Sequence, residues 1–229
     1  VEDAVIKNVC VKDSYIYGGK YCAGIVSFGV NSQIRNCSFE GTIKSWEWYA
    51  AGIAGQLLGD SKVQNCYAKC NINAKNYLGG IIGIVGKESD AATITHNTLI
   101  ENCYSYSTLT PTSGGLNKGL VAGRVNAGAT VKNCYYKSVT RVNAIQLDKG
   151  ATIENVVGMT DDELKAEAFV TTLNTNAEKI AGACRWKKTE TTPVLDFSQY
   201  TEEEETVDVN DQATDPIPSN GNKHAENTA

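Results

Sequence analysis

The chain has 229 residues, a formal net charge of −5, and 41% hydrophobic residues. This length suffices for one sizeable core or two small ones, and the acidic balance excludes the basic surface typical of nucleic-acid binding. No uninterrupted apolar run approaches the roughly 20 residues that a transmembrane helix needs, so we expect a protein that does not span a membrane.

A four-residue phrase centred on Asn recurs along the first two thirds of the chain. Its copies lie at 6–9, 34–37, 63–66, 100–103, 131–134 and 153–156. A Gly-containing phrase falls between them, at 24–27, 52–55, 80–83 and 119–122. Since the first Gly stands at 24, 52 and 80, the spacing is 28 residues. The two phrases therefore belong to one repeating unit, with an insertion in the fourth copy.

Between the phrases, small or apolar residues alternate with polar ones, as in residues 66–70. This period of two predicts short strands with one buried face. Parallel stacking of successive units places like residues in columns about 4.8 Å apart. We therefore predict an all-β fold in which residues 1–158 form a right-handed parallel β-helix (solenoid) of about six coils, with a small C-terminal α-helical cap. The competing architecture, an antiparallel sandwich, favours Asn-Gly hairpin turns, and the one such pair is Asn220-Gly221.

The recurring Asn suits a bend because it tolerates the left-handed backbone conformation and bonds neighbouring backbone groups. Four cysteines follow this Asn directly, and we expect them to form one buried column of small side chains: Cys37, Cys66, Cys103 and Cys134. Eight cysteines also permit a disulfide framework, but parallel side chains make the S–S torsion awkward, which favours free thiols. No Cys-x-x-Cys pair occurs, so we expect neither a metal site nor a cofactor.

If the cysteines face inward, the residues after them face outward. A column of exposed tyrosines suits sugar rings or a protein partner; alternatively, the rings stack and stabilise the sheet. A second aromatic cluster surrounds Glu47 and either holds a glycan or packs along the side of the solenoid. The candidate ligand-binding residues are Tyr67, Tyr104, Tyr106, Tyr135, Trp46, Trp48 and Tyr49.

Residues 159–200 have the pattern of a capping segment. Thr160 and Glu163 have the spacing of a capping box at the start of a helix. Trp186 and Val194-Leu195 predict a final strand or extended segment. We expect this segment to cover the last coil, with four side chains facing it: Leu164, Ala168, Phe169 and Leu173.

Residues 201–229 carry eight acidic residues and one basic residue. Such a segment buries too little apolar surface to offset its ordering entropy, so we predict an acidic disordered tail or linker. At the other end, no polar cap precedes Ile6 and the chain starts at Val1. We therefore expect part of a larger chain.

The alternation of a Gly-[Ile/Leu]-x-Gly phrase with a [Val/Ile]-x-Asn-[Cys/Ser]-Tyr phrase resembles the GLUG-motif repeats of bacterial surface proteins. Residues 52–55 and 80–83 match the Gly phrase fully, whereas 24–27 ends in Ser and 119–122 reaches its Gly one residue late. The stretch 159–197 is also similar to the segment that often closes such arrays. The resemblance implies an extracellular or cell-surface location in bacteria, and the repeat itself brings no catalytic residue.

The sequence thus predicts a non-catalytic adhesion, binding or spacer module, with a glycan or a host or matrix protein as its partner. The alternative is a polysaccharide-processing β-helix enzyme, a lyase or glycoside hydrolase, which needs carboxylates that converge in one groove. Glu40 and Glu101 lie at different phases of the repeat, and His96 has no evident partner at repeat phase. We therefore predict no catalytic residues.

Overall fold

Short strands dominate the structure, as the period-two pattern predicts. The computed structural model describes residues 1–90, 95–112 and 117–198; the predicted acidic tail, 201–229, lies outside the described residues. In chain order the strands are β1 (Val5–Lys7), β2 (Cys10–Gly18), β3 (Cys22–Ala23), β4 (Val26–Val30), β5 (Gln33–Arg35), β6 (Ser38–Ser45), β7 (Trp48–Ala51), β8 (Ala54–Leu58), β9 (Lys62–Gln64), β10 (Tyr67–Ala74), β11 (Asn76–Gly79), β12 (Ile82–Val85), β13 (Leu99–Glu101), β14 (Tyr104–Ser105), β15 (Thr108–Pro111), β16 (Lys118–Gly119), β17 (Ala122–Asn126), β18 (Thr130–Lys137), β19 (Ile145–Lys149), β20 (Thr152–Met159), β21 (Arg185–Lys187) and β22 (Val194–Asp196). The helices are α1 (Asp161–Lys165) and α2 (Glu167–Ala177).

The strands of the repeats form three parallel sheets. An 11-stranded sheet contains β1, β2, β5, β6, β9, β10, β13, β14, β15, β18 and β20. A second sheet has the order β16-β11-β7-β3, and a third has the order β19-β17-β12-β8-β4. Every pairing between described strands of these sheets is parallel, so the all-β prediction is confirmed and the antiparallel sandwich is wrong. The pair β21–β22 is antiparallel and lies outside them.

Neighbouring strands pair residues that occupy the same position in the sequence repeat. Ile6 is aligned with Ile34, and Ile34 with Val63. Ile100 is aligned with Val63 on one side and with Val131 on the other. Like side chains therefore lie above one another along a single direction, across strands about 4.8 Å apart.

Each unit bends at its Asn, where the backbone enters the left-handed region that Asn tolerates. The bend residues all have φ between 50° and 62°: Asn8, Asn36, Asn65, Asn102, Asn133 and Asn155. Their amides also connect the units. Nδ2 of Asn36 donates to Oδ1 of Asn8 at 2.9 Å, and Nδ2 of Asn65 donates to Oδ1 of Asn36 at 2.8 Å. The predicted bend is confirmed, and the asparagines form a column along the repeats that is hydrogen-bonded from Asn8 to Asn102 and again between Asn133 and Asn155.

The predicted cysteine column lies in the core. Cys37, Cys66, Cys103 and Cys134 are fully buried among apolar residues from all three sheets. The backbone N–H of Cys37 donates to Sγ of Cys66 at 3.4 Å, so successive thiols are close. All eight cysteines are free thiols. Burial raises the pKa of Cys66 and of Cys134, because a thiolate loses its hydration in the core.

The helical segment begins where the sequence predicts. The N–H of Glu163 donates to Oγ1 of Thr160 at 3.3 Å, and the N–H of Thr160 donates to Oε2 of Glu163 at 2.8 Å, which completes the capping box. The longer described helix, α2, has 11 residues. No described helix is long and apolar enough to cross a bilayer.

Three of the four helix residues expected to face the repeats are buried: Leu164, Phe169 and Leu173. Ala168 is exposed, which contradicts its predicted position, and Val170 packs in the cluster instead. The physical reason is the short break between the helices at Ala166, whose ψ of 149° is extended. This break rotates the start of α2 relative to α1.

The C-terminal strap (residues 159–198) lies along the side of the repeats, so the predicted lid over the last coil is wrong. Nε1 of Trp186 donates to Oδ1 of Asn65 at 2.6 Å. Nδ2 of Asn65 donates to the Cys184 carbonyl, and the Cys184 N–H donates to Oδ1 of Asn36, both at 2.9 Å. The strap follows the Asn column because the buried amides of that column need hydrogen-bond partners.

Candidate functional site

The expected stripe of exposed tyrosines is buried under the strap. Tyr67, Tyr104 and Tyr135 are 1%, 0% and 4% exposed. The rings of Tyr67 and Tyr104 are stacked, with centroids 5.2 Å apart and planes 4° apart. Phe169 lies edge-on to Tyr104 at 5.6 Å and to Tyr135 at 5.2 Å. The expected exposure is wrong, and the rings stack as the alternative interpretation proposes.

The hydroxyl groups of these tyrosines are also occupied. Tyr67 donates to Oε1 of Glu40 at 2.7 Å, and Tyr104 donates to Oγ1 of Thr192 at 3.2 Å. Burial raises the pKa of both phenols. Neither a ring face nor a hydroxyl of this pair is presented to a ligand.

Tyr106 anchors the start of α1 to the sheet. Its hydroxyl donates to Oδ1 of Asp161 at 2.7 Å and accepts from Nζ of Lys137 at 3.1 Å. Lys137 also pairs with Asp161 at 3.0 Å and lies 4.5 Å from the centroid of the Tyr106 ring. The hydrogen bond from Tyr106, with help from Lys137, holds the pKa of Asp161 below its usual value. Tyr106 thus makes structural contacts on the half-buried rim of the strap.

Tyr49 belongs to a second stack, formed with Tyr21 and Tyr77 of neighbouring units. The ring centroids are 5.0 Å and 5.3 Å apart, and the planes differ by 6° and 16°. All three residues have positive φ, between 53° and 64°, a costly conformation for an aromatic residue that the stacking helps to hold. Tyr49 donates to Oε1 of Glu88 at 2.8 Å, and burial together with that carboxylate raises the pKa of the phenol.

Trp46 and Trp48 are exposed but lie in different surroundings. Trp48 lies edge-on to Tyr77, with centroids 6.4 Å apart, and Nζ of Lys20 is 5.8 Å from its ring centroid. Trp46 instead packs against Tyr17, with centroids 5.1 Å apart and planes 58° apart. The two tryptophans therefore do not form the two sides of one site around Glu47.

Trp46 and Tyr17 line an open groove of about 360 Å³, the Trp46 groove, which also contains Lys44, Asn73, Lys75 and Thr112. The Trp46 indole rests on Gly19, where an added Cβ would lie 3.3 Å from its Cζ2 atom. The absence of a side chain at Gly19 lets the ring lie close to the backbone, which fixes its position. Trp46 is 51% exposed and Tyr17 is 65% exposed.

Sequence reasoning missed Tyr17 because β2 contains a bulge. Cys10 is aligned with Ser38, 28 residues later, but after the bulge Tyr17 is aligned with Lys44, 27 residues later. Counting in steps of 28 places Tyr17 opposite Ser45, which is buried. The extra residue turns the tyrosine to the outer face, since a shift of one residue exchanges the two faces of a strand. The sequence did contain a signal for this surface: Tyr15 and Tyr17 are two residues apart in β2, so their side chains lie on the same face of the strand.

A second cleft, of about 400 Å³, is lined by Glu88, Asp90 and Arg124. It lies beside His96. Nε2 of His96 is 2.8 Å from Oδ2 of Asp90, and both residues belong to the insertion in the fourth copy of the repeat. The Gly59 N–H donates to Nδ1 of His96 at 3.0 Å, so the proton is on Nε2 and is donated to Asp90. Both ring nitrogens are therefore engaged, as expected for a histidine that holds the insertion in place.

The Trp46 groove offers an aromatic surface, two ammonium groups, an amide and a hydroxyl, a combination that suits binding of a polar ring. The part of the chain that the structure describes contains no cluster of three or more His, Cys, Asp or Glu side chains able to hold a metal ion. Comparisons with protein-family models, curated proteins and solved structures find no match for this chain. Any functional assignment therefore depends on the fold and on the chemistry of this groove.

Proposed function

We propose that this chain is a right-handed parallel β-solenoid that serves as a non-catalytic binding module of a secreted or surface-exposed bacterial protein, and that its Trp46 groove binds a glycan. The in-register parallel pairing from unit to unit supports the solenoid. The GLUG-like phrases support the surface location. An experimental structure with left-handed winding of the units would contradict the fold proposed here.

The exposed pair of rings formed by Tyr17 and Trp46 carries the glycan proposal. Single exposed apolar residues are common on protein surfaces, but two large aromatic side chains that form one exposed patch in a fixed position are typical of binding sites. Because Gly19 and Tyr17 already hold the indole, binding costs little side-chain entropy. A sugar ring has an apolar face for the indole and hydroxyl groups for Asn73 and Thr112 at the edge of the groove.

A glycan array followed by isothermal titration tests this proposal. Trp46→Ala should abolish binding of the selected glycan, because it removes the aromatic surface without touching the core. Trp48→Ala and Tyr15→Ala are matched controls: both residues are exposed aromatics that do not line the groove. Binding that survives Trp46→Ala overturns the assignment of the groove, and the absence of any bound glycan favours a spacer role.

The alternative is a carbohydrate-processing enzyme that uses the second cleft, where Glu88 and Asp90 are two carboxylates in one groove. Such enzymes need one carboxyl as acid and one as base or nucleophile. Here Asp90 accepts from His96 and from the Lys87 N–H at 2.6 Å, and Glu88 accepts from Tyr49. Release of reducing ends from a polysaccharide, lost in Glu88→Gln and retained in Trp46→Ala, would favour the enzyme.

A further inference from the structure

We propose that the ligand of the Trp46 groove is an acidic saccharide, whose carboxylate or sulfate groups pair with Lys44 and Lys75. The inference rests on the proposed glycan-binding function and adds the chemical class of the ligand. Both ammonium groups line the groove next to the Trp46 and Tyr17 rings. No acidic side chain is among the described residues that line it.

The lysines of the groove, unlike Lys12 and Lys69, form no ion pair with another described residue. Lys69 and Lys12 share Glu40, with Nζ–Oε1 distances of 3.6 Å and 4.0 Å. Among the ion pairs of the described residues, none includes Lys44 or Lys75. Two unpaired positive charges beside an aromatic surface complement a negatively charged ring substituent.

The backbone sets the direction in which such a ligand lies. Tyr17 on β2 is aligned with Lys44 on β6, Lys44 with Asn73 on β10, and Asn73 with Thr110 on β15. Three strand spacings separate the first and last of these positions, a span of roughly 14 Å. An aromatic ring, an ammonium and an amide of the groove therefore follow one another across the strands, and the next position is Thr110, two residues before the groove residue Thr112. This row suits an oligosaccharide of several residues better than a single sugar.

Lys75 lies between β10 and β11, and a backbone hydrogen bond to the corner between β6 and β7 holds it beside this row. The Lys75 N–H donates to the Glu47 carbonyl at 2.8 Å, and the Trp46 N–H donates to the Gly18 carbonyl at 3.0 Å. The Glu47 N–H donates to Oγ of Ser45 at 3.2 Å. These bonds hold the corner, so Trp46 and Lys75 reach the groove from adjacent units on a fixed backbone.

The test compares matched acidic and neutral probes on the full chain. One pair is an oligogalacturonate and its methyl ester; the other is a sulfated oligosaccharide and its desulfated form. We expect one acidic member to bind about tenfold more tightly than its neutral counterpart, because two exposed ion pairs are lost in the neutral one. The pair that shows the difference identifies carboxylate or sulfate as the group recognised. The difference should shrink in 0.5 M salt, since screening weakens exposed charge pairs.

Variants separate this inference from the proposed function. Lys44→Gln with Lys75→Gln should remove the preference for the acidic probe, whereas Lys62→Gln, an exposed lysine on β9 outside the groove, should not. Equal binding of acidic and neutral probes that is lost in Trp46→Ala overturns the acidic ligand and leaves the glycan site. Absence of Trp46-dependent binding to all four probes also overturns the acidic ligand, whereas the proposed glycan-binding function is overturned only when no glycan of the array binds in a Trp46-dependent way.

Discussion

The indole nitrogen of Trp186 donates to the amide oxygen of Asn65, with the two atoms 2.6 Å apart although the residues are 121 positions apart in sequence. The same oxygen accepts from Nδ2 of Asn102 at 2.8 Å. Nδ2 of Asn65 in turn donates to Oδ1 of Asn36 and to the Cys184 carbonyl. At Asn65 the column of bend residues and the strap therefore share one buried hydrogen-bond network.

Asn65→Gly should lower the free energy of unfolding by about 3 kcal/mol. Glycine accepts the positive φ, so the loss reports the missing amide and its buried partners, at about 1–3 kcal/mol for each unsatisfied group. The measurement is urea denaturation followed by circular dichroism. Asn155→Gly is the matched control, since Asn155 has φ of 50° but is exposed; it should cost less than about 1 kcal/mol. Equal losses in both variants would show that the buried network contributes nothing beyond the bend.

Trp186→Phe removes the Nε1 donor and keeps most of the ring. We expect a loss of about 1–2 kcal/mol, because Oδ1 of Asn65 retains its bond from Asn102. In a double-mutant cycle, the losses of Trp186→Phe and Asn65→Gly should not add, since both remove the same bond. Strict additivity would contradict a direct Trp186–Asn65 interaction in solution.

Tyr104→Ala should destabilise the protein by about 3–5 kcal/mol, the usual cost of removing a large buried aromatic side chain. Tyr104 is fully buried and packs against Tyr67, Phe169 and Trp186. Tyr17→Ala, an exposed tyrosine in the groove, should change the unfolding free energy by no more than about 0.5 kcal/mol. A folded, fully stable Tyr104→Ala variant would mean that the strap does not cover this ring in solution.

Thiol reactivity should distinguish Cys10 from the other seven cysteines. Cys10 is exposed, whereas the rest are buried, and burial raises the pKa of the Cys70 thiol to about 12. With a thiol-specific disulfide reagent at neutral to mildly alkaline pH, one thiol should react quickly and the others only after unfolding, because the reagent reaches only the exposed thiol in the folded protein. Cys10→Ser should remove the fast phase. Several fast thiols, or a fast phase that persists in this variant, would contradict the burial of the other seven cysteines.

Stability in acid should depend on Asp161. Its folded-state pKa is lowered by Tyr106 and Lys137, so its contribution is complete above the unfolded value of about 3.9 and is lost as pH falls through the lower folded value. Asp161→Asn should therefore be less stable than the wild type near pH 6, with the two stability curves converging towards about pH 2. Denaturation across this range measures the effect, and Asp162→Asn in the same helical turn is the control. Parallel curves for wild type and Asp161→Asn would exclude this linkage.

The features that the sequence predicted correctly are those expressed within one repeat. The alternation around Cys66 defines which side chains face the core, the Asn at the end of each short strand defines the bend, and Thr160 with Glu163 defines a helix start. Each depends on residues a few positions apart, whose backbone preferences act locally. Repetition then makes parallel stacking the arrangement that buries every copy in the same way.

The sequence by itself thus determined the repeat, the strand direction and the inward column, whereas the tertiary structure decided which surfaces remain open. The strap covers the tyrosines because Trp186 and Cys184 meet amides more than 100 residues earlier in the chain, and no local period records such a contact. The bulge in β2 turns Tyr17 outward through a single extra residue, which only the pairing with β6 reveals. Local patterns specify which face of a strand is apolar, but the choice of what covers each face is made by the sum of long-range contacts.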